Sequence, residues 1–409
     1  MKYFPADKPD AAHVGYQQQV KESNIKHVFD LVRSGKCRSR AEIVREMALS
    51  ATSVSVLVDE LSSRKLIDET GPIHTAMPGR RPISLTLNRR AHNLAVFSIT
   101  AQGVRFALMD LECHILEHVF LPLEVSGMDD ASASDACMQL LDDILHSHSR
   151  LFNPSRTLVI GVSFPGIYIE EDHMFHTQWA LGFHLLEDPV RRFQKRSGLP
   201  VFLLNGTRSM AYAEKKYLDA VNNHAPETRD MVFIKIRKGI KCAIIAHGDM
   251  YPGPFNMSGE VGHFTIDYQG KPCYCGSAGC LERYADLDAI LEDARQAARE
   301  AEIAPVDDME ALARRYTEEP VLLNVVRRSA QLLAAGLYGI LCSSGIRHLV
   351  LGGGIEILGE TFLQEVYHAL MRRAMLVRRL ELSYAHNNED AELVGLAEYF
   401  LDKVYSITM

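Results

Sequence analysis

Apolar positions fall at helical spacing between Val20 and Val32, where Val20, Ile25, Val28, Phe29 and Val32 approximate one face. Gly35 ends that run. Ser39 then heads a second helix, with Glu42 at the reciprocal position of a capping box. Ser50 heads a third, A-T-S-V-S-V-L-V-D-E-L-S-S-R-K, whose Val54, Leu57, Val58 and Leu61 share one side. Ser50, Ala51, Thr52, Ser53, Ser55 and Val56 fill its start and its other side. Next, Leu66-Ile67-Asp68 and Ile83-Ser84-Leu85-Thr86-Leu87 predict two short strands. They flank M-P-G-R-R-P, which holds Arg80 and Arg81 on a stiff exposed loop.

From Leu94 the period is two. LAVFSIT, VRFALMD and HILEHVFLPL predict a meander, followed by a helix over about 131–148 and a buried strand, TLVIGVSF. A helix over about 188–197 precedes VFLLN, a strand that runs straight into the helix T-R-S-M-A-Y-A-E-K-K-Y-L. The second half repeats the plan. Strands MVFIKIR and CAIIAHG come first, then helices over about 285–301, 309–315 and 320–341. The strand HLVLGGG, a helix over about 361–375 and a last helix, AELVGLAEYFLDKVY, close it. The expected organisation is a flexible 1–19, a helical and winged unit over 20–90, and two α/β lobes over 91–205 and 206–409. A small ligand is expected in a cleft between the lobes.

A length of 409 residues requires more than one core, and 47% hydrophobic with 23% charged residues is a globular profile. No apolar run is long enough to span a bilayer, and the first residues lack an apolar signal core. Cys37, Cys113, Cys137, Cys242 and Cys342 are scattered, without disulfide spacing. A reducing cytoplasm fits both facts, with no membrane partner. The net charge of −8 is uneven: residues 1–90 hold 15 Lys and Arg against 10 Asp and Glu. A basic unit on an acidic body suits an anionic partner.

The same helical pattern serves a plain three-helix module. Here the small hydroxyl side chains opening the third helix would let it enter a major groove, and the paired arginines suit phosphate or a narrow minor groove. The expectation is a winged helix-turn-helix on double-stranded DNA, with Ser50, Ala51, Thr52, Ser53, Ser55, Arg80 and Arg81 at the interface. The recognition helix has no Lys or Arg before Arg64, so base contacts would come from hydroxyls and water.

The densest chemistry lies in G-E-V-G-H followed, nine residues later, by C-Y-C-G-S-A-G-C-L-E. His263, Cys273, Cys275 and Cys280 form a Cys₃His set, the closed tetrahedral complement of structural Zn²⁺. Gly276 and Gly279 permit the tight backbone that gathers the thiolates. The spacing is not that of a nucleic-acid-binding zinc finger.

GEVGH…CYCGSAGCLE, together with the helical unit ending in P-G-R-R-P, resembles the ROK family of bacterial sugar kinases and sugar-responsive regulators, over nearly the whole chain from about Ser23. The resemblance implies a duplicated actin-like ATPase (ribonuclease-H-like) body with a structural zinc loop, behind the winged helix-turn-helix of the regulator branch. Carried over by position, Asn205, Glu260, His263 and Glu282 match sugar contacts, and His263 would also serve the metal. The kinases place Asp, the base, after that Asn; here it is Gly206. Their D-x-G-G-T corresponds to Ser98-Ile99-Thr100-Ala101-Gln102, with no carboxylate. Their second glycine-rich loop corresponds to Arg237-Lys238-Gly239-Ile240-Lys241-Cys242, with one glycine left. Gly352-Gly353-Gly354 survives. No catalytic residue is therefore expected.

The expected function is a DNA-binding regulator, a repressor by default, of carbohydrate-related genes. A sugar or sugar derivative would control it, without kinase activity. It would bind a near-palindromic operator as a homodimer or homotetramer. The alternative is a ligand-independent DNA-binding or protein-interaction regulator, whose cleft is vestigial and whose body contacts a protein partner.

Overall fold

The computed structural model describes residues 16–72, 81–148, 150, 152–169, 174–176, 181–221, 230–373, 380–386 and 389–404. Contacts divide the chain into two units. The first holds Met1–Pro165, Glu170–Leu204 and Leu396–Met409; the second holds Gly166–Ile169 and Asn205–Gly395.

The first unit opens with α1 (Tyr16–Arg33), α2 (Arg40–Met47) and α3 (Ala51–Ser63). Ser39 caps α2 by accepting from the Glu42 amide. The Glu42 carboxylate answers one residue earlier than a capping box requires, accepting from the Arg38 amide at 2.6 Å. Ala48, at φ +52°, turns the chain towards Ser50, which accepts from the Ser53 amide and starts α3. Val54, Leu57, Val58 and Leu61 are buried where α3 packs on α1 and α2. Strands β1 (Ile67–Pro72) and β2 (Ile83–Leu87) pair antiparallel, Ile67 opposite Leu87. The Leu85 amide donates to the Arg38 carbonyl at 2.9 Å, tying this hairpin to the start of α2.

The body of this unit is a sheet ordered β5-β4-β3-β6-β9, from β3 (Asn93–Thr100), β4 (Gly103–Met109), β5 (Ile115–Pro122), β6 (Thr157–Phe164) and β9 (Val201–Asn205). The expected meander is present: β3, β4 and β5 pair antiparallel in sequence, and β6 then joins β3 in parallel. β3 is buried through Ile99, while the edge strand β5 alternates half-buried and exposed. α4 (Asp130–Asp143) continues as a π turn, Ile144–His148, and α5 (Pro189–Ser197) sets Phe193 against Phe97, with ring centroids 4.9 Å apart. Two short strands, β7 (Ile167–Ile169) and β8 (Met174–His176), lie between them in sequence.

The second unit repeats the plan. Its sheet is ordered β12-β11-β10-β13-β14, from β10 (Met231–Arg237), β11 (Gly239–Ala246), β12 (Asp249–Tyr251), β13 (His348–Gly352) and β14 (Glu381–Tyr384). β10 and β11 are antiparallel; β13 joins β10 in parallel. Alternation along β10 decides the two faces. Val232, Ile234 and Ile236 enter the core that α8 (Leu287–Glu300), α10 (Pro320–Ser344) and α11 (Gly359–Met371) build. Met231 and Phe233 meet Ala211 and Leu218 of α6 (Gly206–Val221). α7 (Glu282–Ala285) and α9 (Met309–Arg315) fill the first face.

The last of the described α-helices, α12 (Ala391–Tyr399), starts in the second unit; its end and the π turn Phe400–Val404 belong to the first. There Arg33 of α1 donates to Glu398 at 2.8 Å and pairs with Asp402, and all three side chains are largely buried. Among the described residues, no helix is long and apolar enough to cross a membrane.

Candidate functional site

The segment from Glu260 to Glu282 has little regular structure, and its shape comes from backbone bonds across a doubled-back loop. The Ile266 amide donates to the Gly279 carbonyl, and the Gly279 amide to that of Lys271, both at 2.8 Å. The Leu281 amide reaches the Phe264 carbonyl at 2.9 Å. Gly279 is obligatory: it sits at φ +70°, and a Cβ there would overlap the Asp267 carbonyl. Leu281 is fully buried and anchors the loop on the helical core.

This folding brings together His263, Cys273, Cys275 and Cys280, with one ligand atom from each within 4.8 Å of all the others. Cys273 Sγ lies 3.7 Å from His263 Nδ1, and Cys275 Sγ lies 3.6 Å from Cys280 Sγ. A tetrahedral ion with metal–sulfur bonds of about 2.3 Å needs ligand–ligand edges of about 3.7–3.8 Å. The donor set therefore fits a closed four-coordinate metal site. Cys280 and Cys273 are buried and Cys275 is half-buried. Among the described residues, Asp110, Glu112 and His114 also gather, but the Arg89 guanidinium already lies 2.9 Å from Asp110 and 3.0 Å from Glu112.

Glu282 opens α7 beside the metal set. Its Oε1 lies 3.5 Å from His263 Nδ1 and 3.4 Å from Cys273 Sγ, and the residue is 3% exposed. Glycines line its carboxylate: a Cβ on Gly262 would come within 2.9 Å of Oε2, and one on Gly239 within 3.2 Å. Burial, and then a hydrogen bond to Glu282, push the Tyr274 phenol well above its usual range. Glu260 Oε1 accepts from Lys241 Nζ at 3.1 Å. Asn205, ending β9, accepts from the Thr207 amide at 2.9 Å and so begins α6. Arg208 does not offer a free cation to this region. Its guanidinium donates to the carbonyls of Pro252 and Asn256, each at 2.9 Å, and so shapes the approach to Glu260.

Asp286 is a site-forming residue that sequence reading passed over. One oxygen accepts from the Ala289 amide and caps α8; the other accepts from the Gly239 amide, each at 2.8 Å. It thereby fixes the β10–β11 turn relative to Glu282. The signal was an Asp three residues before Ala289 at a helix start. Burial raises its pKa from 3.8 to about 6. A raised carboxyl pKa means that the folded state holds the proton more tightly. The associated stability is full below about 4 and lost as pH rises through about 6. The stability difference between wild type and Asp286→Asn should therefore shrink by about 3 kcal/mol between pH 4 and 7. Urea denaturation across that range measures it, and a constant difference would refute it.

In the first unit, Ala51, Thr52, Ser53 and Val56 of α3 are exposed, as is Ser50; Ser55 is half-buried. Ser50 Oγ shares a hydrogen bond with Ser53 Oγ at 2.8 Å, and the Ser55 carbonyl accepts from Arg40 at 3.2 Å. Arg81 is exposed just before β2, whereas Arg80 lies outside the described residues.

The ROK family model matches residues 99–403, from the first strand of the body to the turn after α12. The chain belongs to the ROK family. Its relatives fall on both sides of that family. It is 25% identical to the xylose repressor of Bacillus spizizenii over 400 residues, 95% of this chain and 98% of that one. It is 30% identical to the N-acetylmannosamine kinase of Citrobacter koseri over 306 residues, 74% of this chain and 98% of the kinase. In fold it is similar to a ROK family transcriptional regulator described as a homologue of the Escherichia coli Mlc protein. The TM-score there is 0.78 at 21% identity, over 94% of this chain and 98% of that one. A ROK glucokinase of Streptomyces griseus, solved with glucose and AMPPNP, matches with a TM-score of 0.60 at 20% identity, over 75% of this chain and 98% of the kinase. The mixed-sheet α/β body is thus common to ROK regulators and kinases.

Proposed function

We propose that this ROK protein is a DNA-binding transcriptional repressor of carbohydrate genes, controlled by a sugar or sugar derivative and without phosphotransferase activity. The observation that carries the reading is α3. It exposes a small, hydroxyl-rich face on a three-helix unit beside the antiparallel pair β1–β2. A relative that is a repressor is matched over 95% of the chain, whereas the kinase match leaves about a quarter uncovered. In this reading residues 20–90, together with Tyr16–Gln19 at the start of α1, form the winged helix-turn-helix. Lobes over 91–205 and 206–409 form the body. Ser50, Ala51, Thr52, Ser53 and Ser55 face base edges, and Arg80 and Arg81 take phosphate or the minor groove.

The body binds its ligand through Asn205, Glu260, His263 and Glu282. Amide, imidazole and carboxylate groups serve adjacent hydroxyls in pairs. Zn²⁺ on His263, Cys273, Cys275 and Cys280 is structural, because four protein ligands leave no open position. Loss of catalysis is supported locally. Gly206 offers no base, and the stretch Arg237–Cys242 keeps one glycine, Gly239, with Lys241 and Cys242 following it on β11. The Cys242 amide donates to the Gly259 carbonyl at 2.8 Å, and a Cβ on Gly259 would overlap the Cys242 carbonyl. The buried Cys137 and Cys242 thiols, both pushed up to about 12 by burial, are inert in a reducing cytoplasm. As a homodimer or homotetramer, the protein places two wings on half-sites about one helical turn, or a multiple, apart. A ligand that prefers one arrangement shifts the DNA-binding equilibrium by its differential affinity.

The test is thermal stability against free, amino and phosphorylated sugars. A ligand at about 100 times its dissociation constant adds about 2.7 kcal/mol. One compound should raise the melting temperature, and Glu260→Ala should abolish the shift. No shift with any sugar, alongside intact metal and operator binding, favours a ligand-independent regulator whose body serves a protein partner. Separately, Arg80→Ala with Arg81→Ala should weaken binding to all DNA sequences and flatten the slope of log affinity against log salt by about 2. Filter binding at several salt concentrations reads the slope, and an unchanged value would refute the wing assignment.

A further inference from the structure

Gly206 is more than the absence of a side chain. A Cβ built on it would lie 2.7 Å from Glu392 Oε1, 2.8 Å from Cδ and 2.9 Å from Oε2, so the Glu392 carboxylate already fills the space. The delivery is structural. Three residues beyond Glu392, a Cβ on Gly395 would overlap the carbonyl of Ser209, itself three residues beyond Gly206. α12 and α6 therefore meet almost backbone to backbone, with one glycine on each, and that closeness lays the first turn of α12 over the start of α6.

Glu392 Oε2 accepts from Lys235 Nζ at 3.2 Å. Lys235 stands directly opposite Lys241 in the β10–β11 ladder, and Lys241 bonds Glu260 at 3.1 Å. Like charges opposite each other destabilise a sheet, and here each lysine has its own carboxylate. The result is one row, Glu392, Lys235, Lys241, Glu260, on the face of the sheet that carries Phe233 and Ala243. It begins beside Asn205–Gly206 and ends at the Gly-Glu-Val-Gly-His turn. Side-chain exposure is 12% at Glu392, 24% at Lys235, 29% at Lys241 and 30% at Glu260, so the groups are reachable yet mostly dehydrated. Partly dehydrated ion pairs add little stability over apolar side chains, which turns attention to a binding role.

We infer that Glu392, brought by α12, is a ligand-contacting carboxylate of the sugar site, standing where residue 206 has no side chain. With Lys235 it binds adjacent hydroxyls: the carboxylate accepts and the ammonium donates. The charges of the row cancel in pairs, so the ligand it suits is a neutral, unphosphorylated sugar. The inference rests on the sugar-sensing reading above and names the group that gives it hydroxyl specificity.

The experiment compares wild type, Glu392→Gln, Gly206→Asp and the double variant Gly206→Asp/Glu392→Ala. Each is titrated calorimetrically with xylose, glucose, N-acetylglucosamine and N-acetylmannosamine and with their phosphate esters; metal content and melting temperature are followed in parallel. Wild type should bind one free sugar more tightly than its ester. Glu392→Gln should weaken that binding about tenfold or more at unchanged metal content, as expected for a lost charged hydrogen bond. Gly206→Asp alone should melt lower, because its side chain collides with the Glu392 carboxylate. The double variant, with its carboxylate moved to position 206, should recover both melting temperature and sugar binding. Equal binding by wild type and Glu392→Gln overturns this inference and leaves the sensing reading standing. Tighter binding of an ester than of its parent sugar overturns the assignment of a neutral ligand. A wild type that binds none of the sugars overturns both.

Discussion

Cys280→Ser should leave the protein without stoichiometric metal and should destabilise the second unit by about 4 kcal/mol or more, the range in which loss of a structural metal falls. Cys280 is fully buried and adjoins Leu281, the anchor of the loop. Its sulfur lies 3.6 Å from that of Cys275. Serine is a poor ligand for a thiolate-preferring ion, so three donors would remain around an incomplete tetrahedron. The cost extends beyond the loop, because His263 and Glu282 take their positions from the same turn. Under the proposed sugar-sensing function, stabilisation by a sugar should therefore disappear with the metal. Metal analysis with urea denaturation, each with and without chelator, gives the decisive comparison. Chelator should bring wild type down to the variant and should leave the variant unchanged. A metal-replete Cys280→Ser protein, or a metal-free wild type of full stability, would contradict the assignment.

Arg33→Ala should cost about 3–5 kcal/mol, the range for removing one member of a buried ion pair. The Arg33 side chain is 8% exposed, and its partners Glu398 and Asp402 are 14% and 18% exposed. Alanine would take the guanidinium away from two carboxylates in a dehydrated contact, and that penalty exceeds the value of the bonds themselves. Adding Glu398→Gln and Asp402→Asn to Arg33→Ala should therefore recover part of the loss, a non-additivity that a mutant cycle detects. The contact joins α1 of the helical unit to the end of α12, so Arg33→Ala should also weaken operator binding. Simple additivity across the cycle would show that the charges are not coupled.

The elements that sequence made legible are those decided locally. Ser39 and Ser50 announce their helices because a cap is read within three residues. Val54, Leu57, Val58 and Leu61 mark their buried face by period alone. The Cys₃His cluster is legible because 18 positions of one loop carry all four donors, with Gly279 where only glycine fits. The less legible features are long-range. Glu42 has the right spacing for a capping box, yet its carboxylate reaches Arg38, a choice set by the path of the chain into α2. Arg33 and Glu398 are 365 residues apart, and Lys235 and Glu392 are 157 apart. Gly206 reads as a deletion until the helix that covers it is placed. The bond from Lys241 to Glu260 is likewise a tertiary fact. Charge pairing across a fold has no period, so it leaves no trace in a hydropathy pattern.

The separation between Arg33 and its partners also sets an order of events during synthesis. At about 5–20 residues per second, residue 398 is polymerised roughly 20–70 s after residue 33. Throughout that interval the three N-terminal helices can form by local contacts, which close within microseconds. Arg33, however, has neither carboxylate to meet. The helical unit thus forms early but is completed only by α12, whose Glu398 is made 365 residues after Arg33. A chain interrupted before Glu398 would carry an intact α3 on a foundation that never closes, so nascent or truncated molecules would compete poorly with finished ones for operator DNA.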